Sequence, residues 1–276
     1  MKKLFFFIIA IIFILAGLNQ FADHIIYAPL QQVAPMPQGF TQEVFESSDN
    51  TPLYGSYKPA QEGKPTILFF HGNAGNISYY RQFAQEYAAL GYGVFLFDYR
   101  GFGQSKGTLN QENFFKDGKS ALDYMLTQKQ IPPQDLVLFA HSLGNTALID
   151  LLQDNPLSFR AVILKSPFTN TPDMAASFLF KNYKYNGFGE RLAAGVAYSF
   201  LFNKLFDNIA KMPKVKHPVF IVYSKQDMLI SWQMSDAIFK AAPKGSQNYI
   251  SAFGGHNGFE WCSKQIDDYI KSRDRD

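Results

Sequence analysis

The sequence predicts an α/β architecture: a mostly parallel, doubly wound sheet with an antiparallel amino-terminal edge and a small helical lid. Three observations predict it. Short apolar runs without polar alternation recur along the chain, as expected of strands covered on both faces. Segments of helical spacing separate those runs, and regular alternation of strand and helix favours a parallel sheet. A serine stands in Ala140-His141-Ser142-Leu143-Gly144, between the apolar run Leu136-Val137-Leu138-Phe139 and a helical stretch from Asn145 to Gln153. That places Ser142 on a sharp strand-to-helix elbow, where small residues two before and two after it avoid collisions with the neighbouring strand and helix.

The 276 residues are 47% apolar and 18% charged, which suits one large core and excludes a disordered chain. The formal charge of +3 arises from 26 basic and 23 acidic residues, and Lys2 and Lys3 belong to a terminal segment. No basic stripe interleaved with aromatics is present, which argues against a nucleic-acid partner. The single cysteine, Cys262, has neither a disulfide mate nor a metal-ligand companion at a usual spacing, so it reads as a buried small apolar residue. No cofactor or metal is expected.

From the amino terminus, residues 1–20 read as a signal peptide or a membrane anchor: Lys2-Lys3 precede the apolar run Leu4 to Leu18. As a helix that run spans roughly 22 Å, short of the ~30 Å hydrocarbon core, yet no good A-x-A cleavage site follows. Either way, the positive-inside rule puts the remainder outside the cytoplasm, in a bacterial-type cell envelope or periplasm. Residues 21–40, with Pro29, Pro35, Pro37 and Gly39, read as an extended lead-in to a catalytic domain over 41–276.

Within that domain, Glu43 to Glu46 and Leu53 to Tyr57 alternate like a hairpin around Ser48-Asp49-Asn50-Thr51-Pro52. Continuous apolar runs follow at Thr66 to Phe70, Gly93 to Phe97, Leu136 to Phe139, Ala161 to Leu164, Pro218 to Tyr223 and Gln247 to Ala252. Helical spacing occupies Ser78 to Leu90, Asn113 to Gln130, Asn145 to Gln153, Ser231 to Ala241 and Glu260 to Lys271. The rhythm breaks at about 168–212, an aromatic-rich stretch containing Phe178, Phe180, Tyr183, Tyr185, Phe188, Tyr198, Phe200, Phe202 and Phe206. It reads as a lid over an apolar pocket, against the plainer alternative of two helices burying their aromatics on the core.

A serine hydroxyl needs a base at neutral pH, and an imidazole is suited to that task. His256, in Gly254-Gly255-His256-Asn257-Gly258 after the last strand, is the candidate base. Asp227, just past the preceding strand, is the candidate acid that orients it, and chain order Ser, Asp, His supports the set. Asp173 is the alternative acid. Asp98 reads as a brace for its loop through backbone or Arg100 contacts, and His141 is expected to point away from Ser142. The loop His71-Gly72-Asn73-Ala74-Gly75-Asn76 lacks the lysine of a phosphate-binding loop and can instead turn amides toward the serine. The amides of Asn73 and Leu143 are assigned to an oxyanion hole.

The set HGNAGN, DYRGFGQS, AHSLG, SKQD and GGHNG resembles the α/β-hydrolase superfamily, in particular a membrane-anchored branch close to depalmitoylase-like and serine-aminopeptidase-like (S33-type) proteins. The resemblance runs from about Ile26 to the carboxyl end. It implies Ser142 as nucleophile, Asp227 and His256 as its partners, and the loop at Asn73 as half of an oxyanion hole. The expected substrate is a small-molecule ester or thioester, possible origins including lipid. A peptidase with the same triad and a membrane-tethered binding module are the rival readings.

Overall fold

A computed structural model describes residues 27–179 and 206–273. Eight strands form one sheet: β1 (Thr41–Glu46), β2 (Pro52–Lys58), β3 (Thr66–Phe70), β4 (Gly93–Asp98), β5 (Leu136–His141), β6 (Ala161–Lys165), β7 (Phe220–Ser224) and β8 (Gln247–Ser251). Their spatial order is β1-β2-β4-β3-β5-β6-β7-β8. The β1–β2 and β2–β4 pairs are antiparallel, and every other pair is parallel. This is the predicted doubly wound sheet with its antiparallel edge.

The strand positions follow from burial. Every residue of β3 through β7 is buried, whereas β1 and β8, at the two edges, are only partly covered. Side-chain alternation splits the core: Leu68 and Phe70 pack on one face, Ile67 and Phe69 on the other. The first face is covered by α2 (Gln111–Thr127), α3 (Gly144–Leu152) and α6 (Trp232–Ala241). The second is covered by α1 (Arg81–Ala89) and α7 (Ser263–Ser272). The helix of α2 starts two residues before its apolar spacing does, because the Asn110 side chain caps it by accepting from Asn113 N at 2.9 Å.

Arg100 is buried and does not brace Asp98. Its guanidinium pairs with Asp117 at 2.7 Å and with Asp49 at 2.8 Å, tying the hairpin turn to α2. Asp98 instead accepts from Ile77 N at 2.8 Å and lies 3.5 Å from His71 Nε2. Burial moves this pair toward neutrality, with the Asp98 carboxyl pushed up to about 7 and the His71 imidazole down to about 4.

The described part of the lead-in is fastened to the loop after β3. Ala28 and Pro29 run parallel to Ala74 and Gly75, and Ala28 N donates to Asn73 Oδ1 at 2.9 Å. Asn76 Nδ2 donates to the carbonyls of Leu30 and Gln32 at 2.8 and 2.9 Å, and Tyr27 is buried against Phe114 and Phe206. The signal or anchor segment at 1–20 lies outside the described residues. Among those residues, no helix is long and apolar enough to cross a membrane. Most of the expected lid also lies outside them; its described ends are α4 (Thr171–Leu179) and the segment from Phe206 through α5 (Asn208–Lys211).

Candidate active site

At the end of β5 the backbone turns sharply, and Ser142 takes a φ of 53°. A non-glycine residue in that region carries about 1–3 kcal/mol of strain, which the surroundings must offset. They do so through hydrogen bonds: Ser142 N donates to Lys165 O at 3.0 Å, and Asn145 Nδ2 donates to the carbonyls of Ser142 and Lys165 at 2.8 and 2.9 Å. Gly144 is required because α3 crosses directly over the end of β3. A Cβ there would stand 2.1 Å from Phe70 O and 2.7 Å from His71 O. Ala140, two residues before the serine, is fully buried and packs its methyl group into the core on the α2–α3 face.

The structure brings Ser142, His256 and Asp227 together. His256 Nε2 is 2.9 Å from Ser142 Oγ, and His256 Nδ1 is 2.8 Å from Asp227 Oδ2. Asp227 Oδ1 accepts from the amides of Leu229 and Ile230, each at 2.9 Å. Burial works to raise the Asp227 carboxyl, but the His256 contact and those two amides together hold it below its ordinary value. An ionised carboxylate can only accept, so it fixes the proton on His256 Nδ1 and leaves the Nε2 lone pair facing the serine hydroxyl. Asp173, the alternative acid, is engaged elsewhere: its carboxylate accepts from Thr169 Oγ1 and from Asn170 Nδ2, at the start of α4.

Ser142 and His256 open into a cavity of about 690 Å³, and Asn73 and Leu143 both line it beside them. Its apolar walls include Phe83, Phe168, Met174, Phe206, Ile230 and Phe259. Among the described residues, no group of three or more His, Cys, Asp or Glu side chains is placed to hold a metal ion. Cys262 is buried, and burial pushes its thiol up to about 12.

Three residues outside the candidate triad stand behind the base. His141 Nε2 is 3.0 Å from the His256 carbonyl oxygen, and the two imidazole rings lie 4.8 Å apart, tilted by 40°. Tyr80 OH accepts from Gly72 N at 2.9 Å and lies 3.3 Å from His141 Nδ1, joining the Asn73 loop to the His256 loop. Lys165 Nζ donates to the same His256 carbonyl at 2.5 Å. The only sequence signal for Lys165 is a charge ending an apolar run; Tyr80 has none, being one aromatic among many. His217 contacts the carbonyls of Pro218 and Phe159 and takes no part in the site, and His24 lies outside the described residues.

The strand order, the elbow after β5 and the loops past β7 and β8 are those of the α/β-hydrolase fold. More particularly, residues 61–186 match the family model described as serine aminopeptidase, S33. The chain is 28% identical over 279 residues to YfhR of Escherichia coli (strain K12), covering 96% of this chain and 93% of YfhR. It is 29% identical over 264 residues to the alpha/beta hydrolase domain-containing protein WAV2 of Arabidopsis thaliana, covering 90% of this chain and 85% of WAV2. Among solved structures, the esterase Pf2001 of Pyrococcus furiosus superposes with a TM-score of 0.71 at 15% identity, covering 90% of this chain and 98% of the esterase.

Proposed function

We propose that the chain is a serine hydrolase that cleaves a carboxylic ester or thioester, with an apolar acyl or aryl group, through an acyl-enzyme intermediate. The observation that carries this reading is the continuous Ser142–His256–Asp227 hydrogen-bonded relay opening into an apolar-walled cavity. In the first half of the reaction His256 Nε2 takes the Ser142 proton as Oγ bonds to the carbonyl carbon. The amides of Asn73 and Leu143 hold the oxyanion, each worth about 10²- to 10³-fold in rate. Collapse of the tetrahedral intermediate breaks the bond to the alkoxide or thiolate, which leaves with the proton from His256. Water then repeats the sequence on the acyl-enzyme and releases the acid.

Comparing purified enzyme against esters of graded acyl length, the matching thioesters and aminoacyl amides tests this directly. Hydrolysis of apolar esters or thioesters is expected to lead, and a clear preference for aminoacyl amides would support the second reading instead. That reading, a serine peptidase with the same three residues, is favoured by the serine aminopeptidase match over residues 61–186. Complete inertness of Ser142 toward active-site reagents would leave the binding-module reading.

The apolar run Leu4 to Leu18 behind Lys2-Lys3 supports attachment to, or export across, a membrane, with the hydrolase domain on the far side from the cytoplasm. A substrate drawn from lipid suits that setting and the apolar cavity.

A further inference from the structure

A buried cation lies directly behind the candidate base, and the chemistry above makes no use of it. Lys165, the last residue of β6, is fully buried. Its Nζ sits 4.6 Å from the centre of the Phe259 ring and 5.2 Å from that of Trp261, and donates to the backbone carbonyl of His256 at 2.5 Å. Among the described residues, no carboxylate oxygen is within ion-pairing distance of it. An ammonium buried with a carbonyl and two aromatic faces in place of a counter-ion is costly to the fold. Burial accordingly lowers Lys165 to about 8, against the opposing influence of Cys262, Asp227 and Glu260.

The loop it grips needs gripping. His256 is flanked by Gly254, Gly255 and Gly258, and Gly254 has a φ of 100°. Glycines give a loop wide conformational freedom, which would let the imidazole wander from its partners. Side chains supply the fastening: Ser224 Oγ donates to Gly254 O at 2.6 Å, while His141 Nε2 and Lys165 Nζ converge on His256 O. Tyr80 O–H facing His141 Nδ1 leaves the proton on Nε2, the atom aimed at that carbonyl.

We infer that Lys165 is a positioning residue for the base: held between Phe259 and Trp261, it fixes the His256 carbonyl and so keeps the imidazole between Ser142 and Asp227. The inference rests on the proposed roles of those three residues. Its action is on the rate of serine attack and not on substrate binding, because Lys165 does not line the cavity.

The test is Lys165→Met, which keeps a long unbranched stem against the two rings and removes the donor. In the folded variant kcat for an ester substrate is expected to fall by about 10²-fold, the scale of an ångström-sized misplacement, with KM changed less than about threefold. The rate at which a fluorophosphonate labels Ser142 should fall in parallel, and the low-field proton resonance of the His256–Asp227 hydrogen bond should broaden or shift. Lys165→Gln, with a shorter neutral donor, should fall between Met and wild type in kcat. Wild-type labelling rate and kcat in a folded Lys165→Met would overturn the inference, as would loss of folding in both variants, which would make the lysine purely structural. Labelling of wild-type protein at a residue other than Ser142 would instead overturn the catalytic reading itself, so the two failures are distinguishable.

Discussion

His256 Nε2 lies 2.9 Å from Ser142 Oγ across 114 residues of chain, because the elbow after β5 and the loop after β8 project from the same edge of a parallel sheet. Parallel strands all present their carboxyl ends on one side, so residues far apart in sequence meet there. Asp227, past β7, completes the line from the same edge.

Replacing Asp227 by asparagine is expected to lower kcat by roughly 10⁴-fold, because an amide can present its N–H to Nδ1 and stabilise the wrong tautomer. Asp173→Asn should retain near wild-type turnover, since its carboxylate serves Thr169 and Asn170 at the start of α4. Steady-state rates of the two variants check this, and the reverse pattern would move the acid to the earlier loop.

Acidity should act through the same carboxylate. The folded-state pKa of Asp227 is depressed, so its contribution to stability is present above its unfolded value and is lost as pH falls through the folded one. Thermal unfolding measured down the acid range should therefore show wild type losing more stability than Asp227→Asn. Parallel pH profiles for the two proteins would contradict this.

Gly144→Ala is expected to be severely destabilising, by about 1–3 kcal/mol or more, because its new Cβ would fall 2.1 Å from the rigid carbonyl oxygen of Phe70. Ala140→Gly, two residues before the serine, removes only one buried methyl group and should cost about 1 kcal/mol. Denaturant unfolding of both variants decides the matter, and equal tolerance would mean that α3 can shift off β3.

The sheet, its antiparallel edge and the positions of Ser142, Asp227 and His256 were legible because they depend on local signals: apolar runs, turn residues and chain order. Strand limits came within a residue or two. What escaped were relationships that only packing creates. Arg100 pairs with Asp117 and Asp49, and not with its near neighbour Asp98, because the turn before β2 and α2 converge on it. The lead-in looked like a mere linker, since its prolines speak only to extended backbone; its pairing with Ala74 and Gly75 is a long-range event without local pattern. Lys165 and Tyr80 likewise gain meaning only once β6, the turn before α1 and the His256 loop are side by side.

That pairing separates two truncations. Removal of residues 1–20 should leave hydrolytic activity intact and, where the segment serves as an anchor, abolish membrane attachment. Removal of residues 1–33 should lower kcat as well, because it strips the contacts that Ala28, Leu30 and Gln32 make to Asn73, Gly75 and Asn76. Activity assays on both, with fractionation and intact mass of the full-length protein from its native host, read out the two effects. Full activity in the longer truncation would release the strap from any role at the Asn73 loop, and a full-length chain found soluble in the cytoplasm would refute the membrane assignment.

Ser142 as nucleophile is tested by covalent labelling of the purified protein with a fluorophosphonate, the modified residue located by peptide mass spectrometry and the folded Ser142→Ala variant run beside it. One stoichiometric adduct on Ser142 is expected, none in the variant, and turnover in the variant reduced by about 10⁴-fold or more. An adduct on another residue, or a folded Ser142→Ala protein that keeps more than about a tenth of wild-type esterase activity, would contradict that role for Ser142.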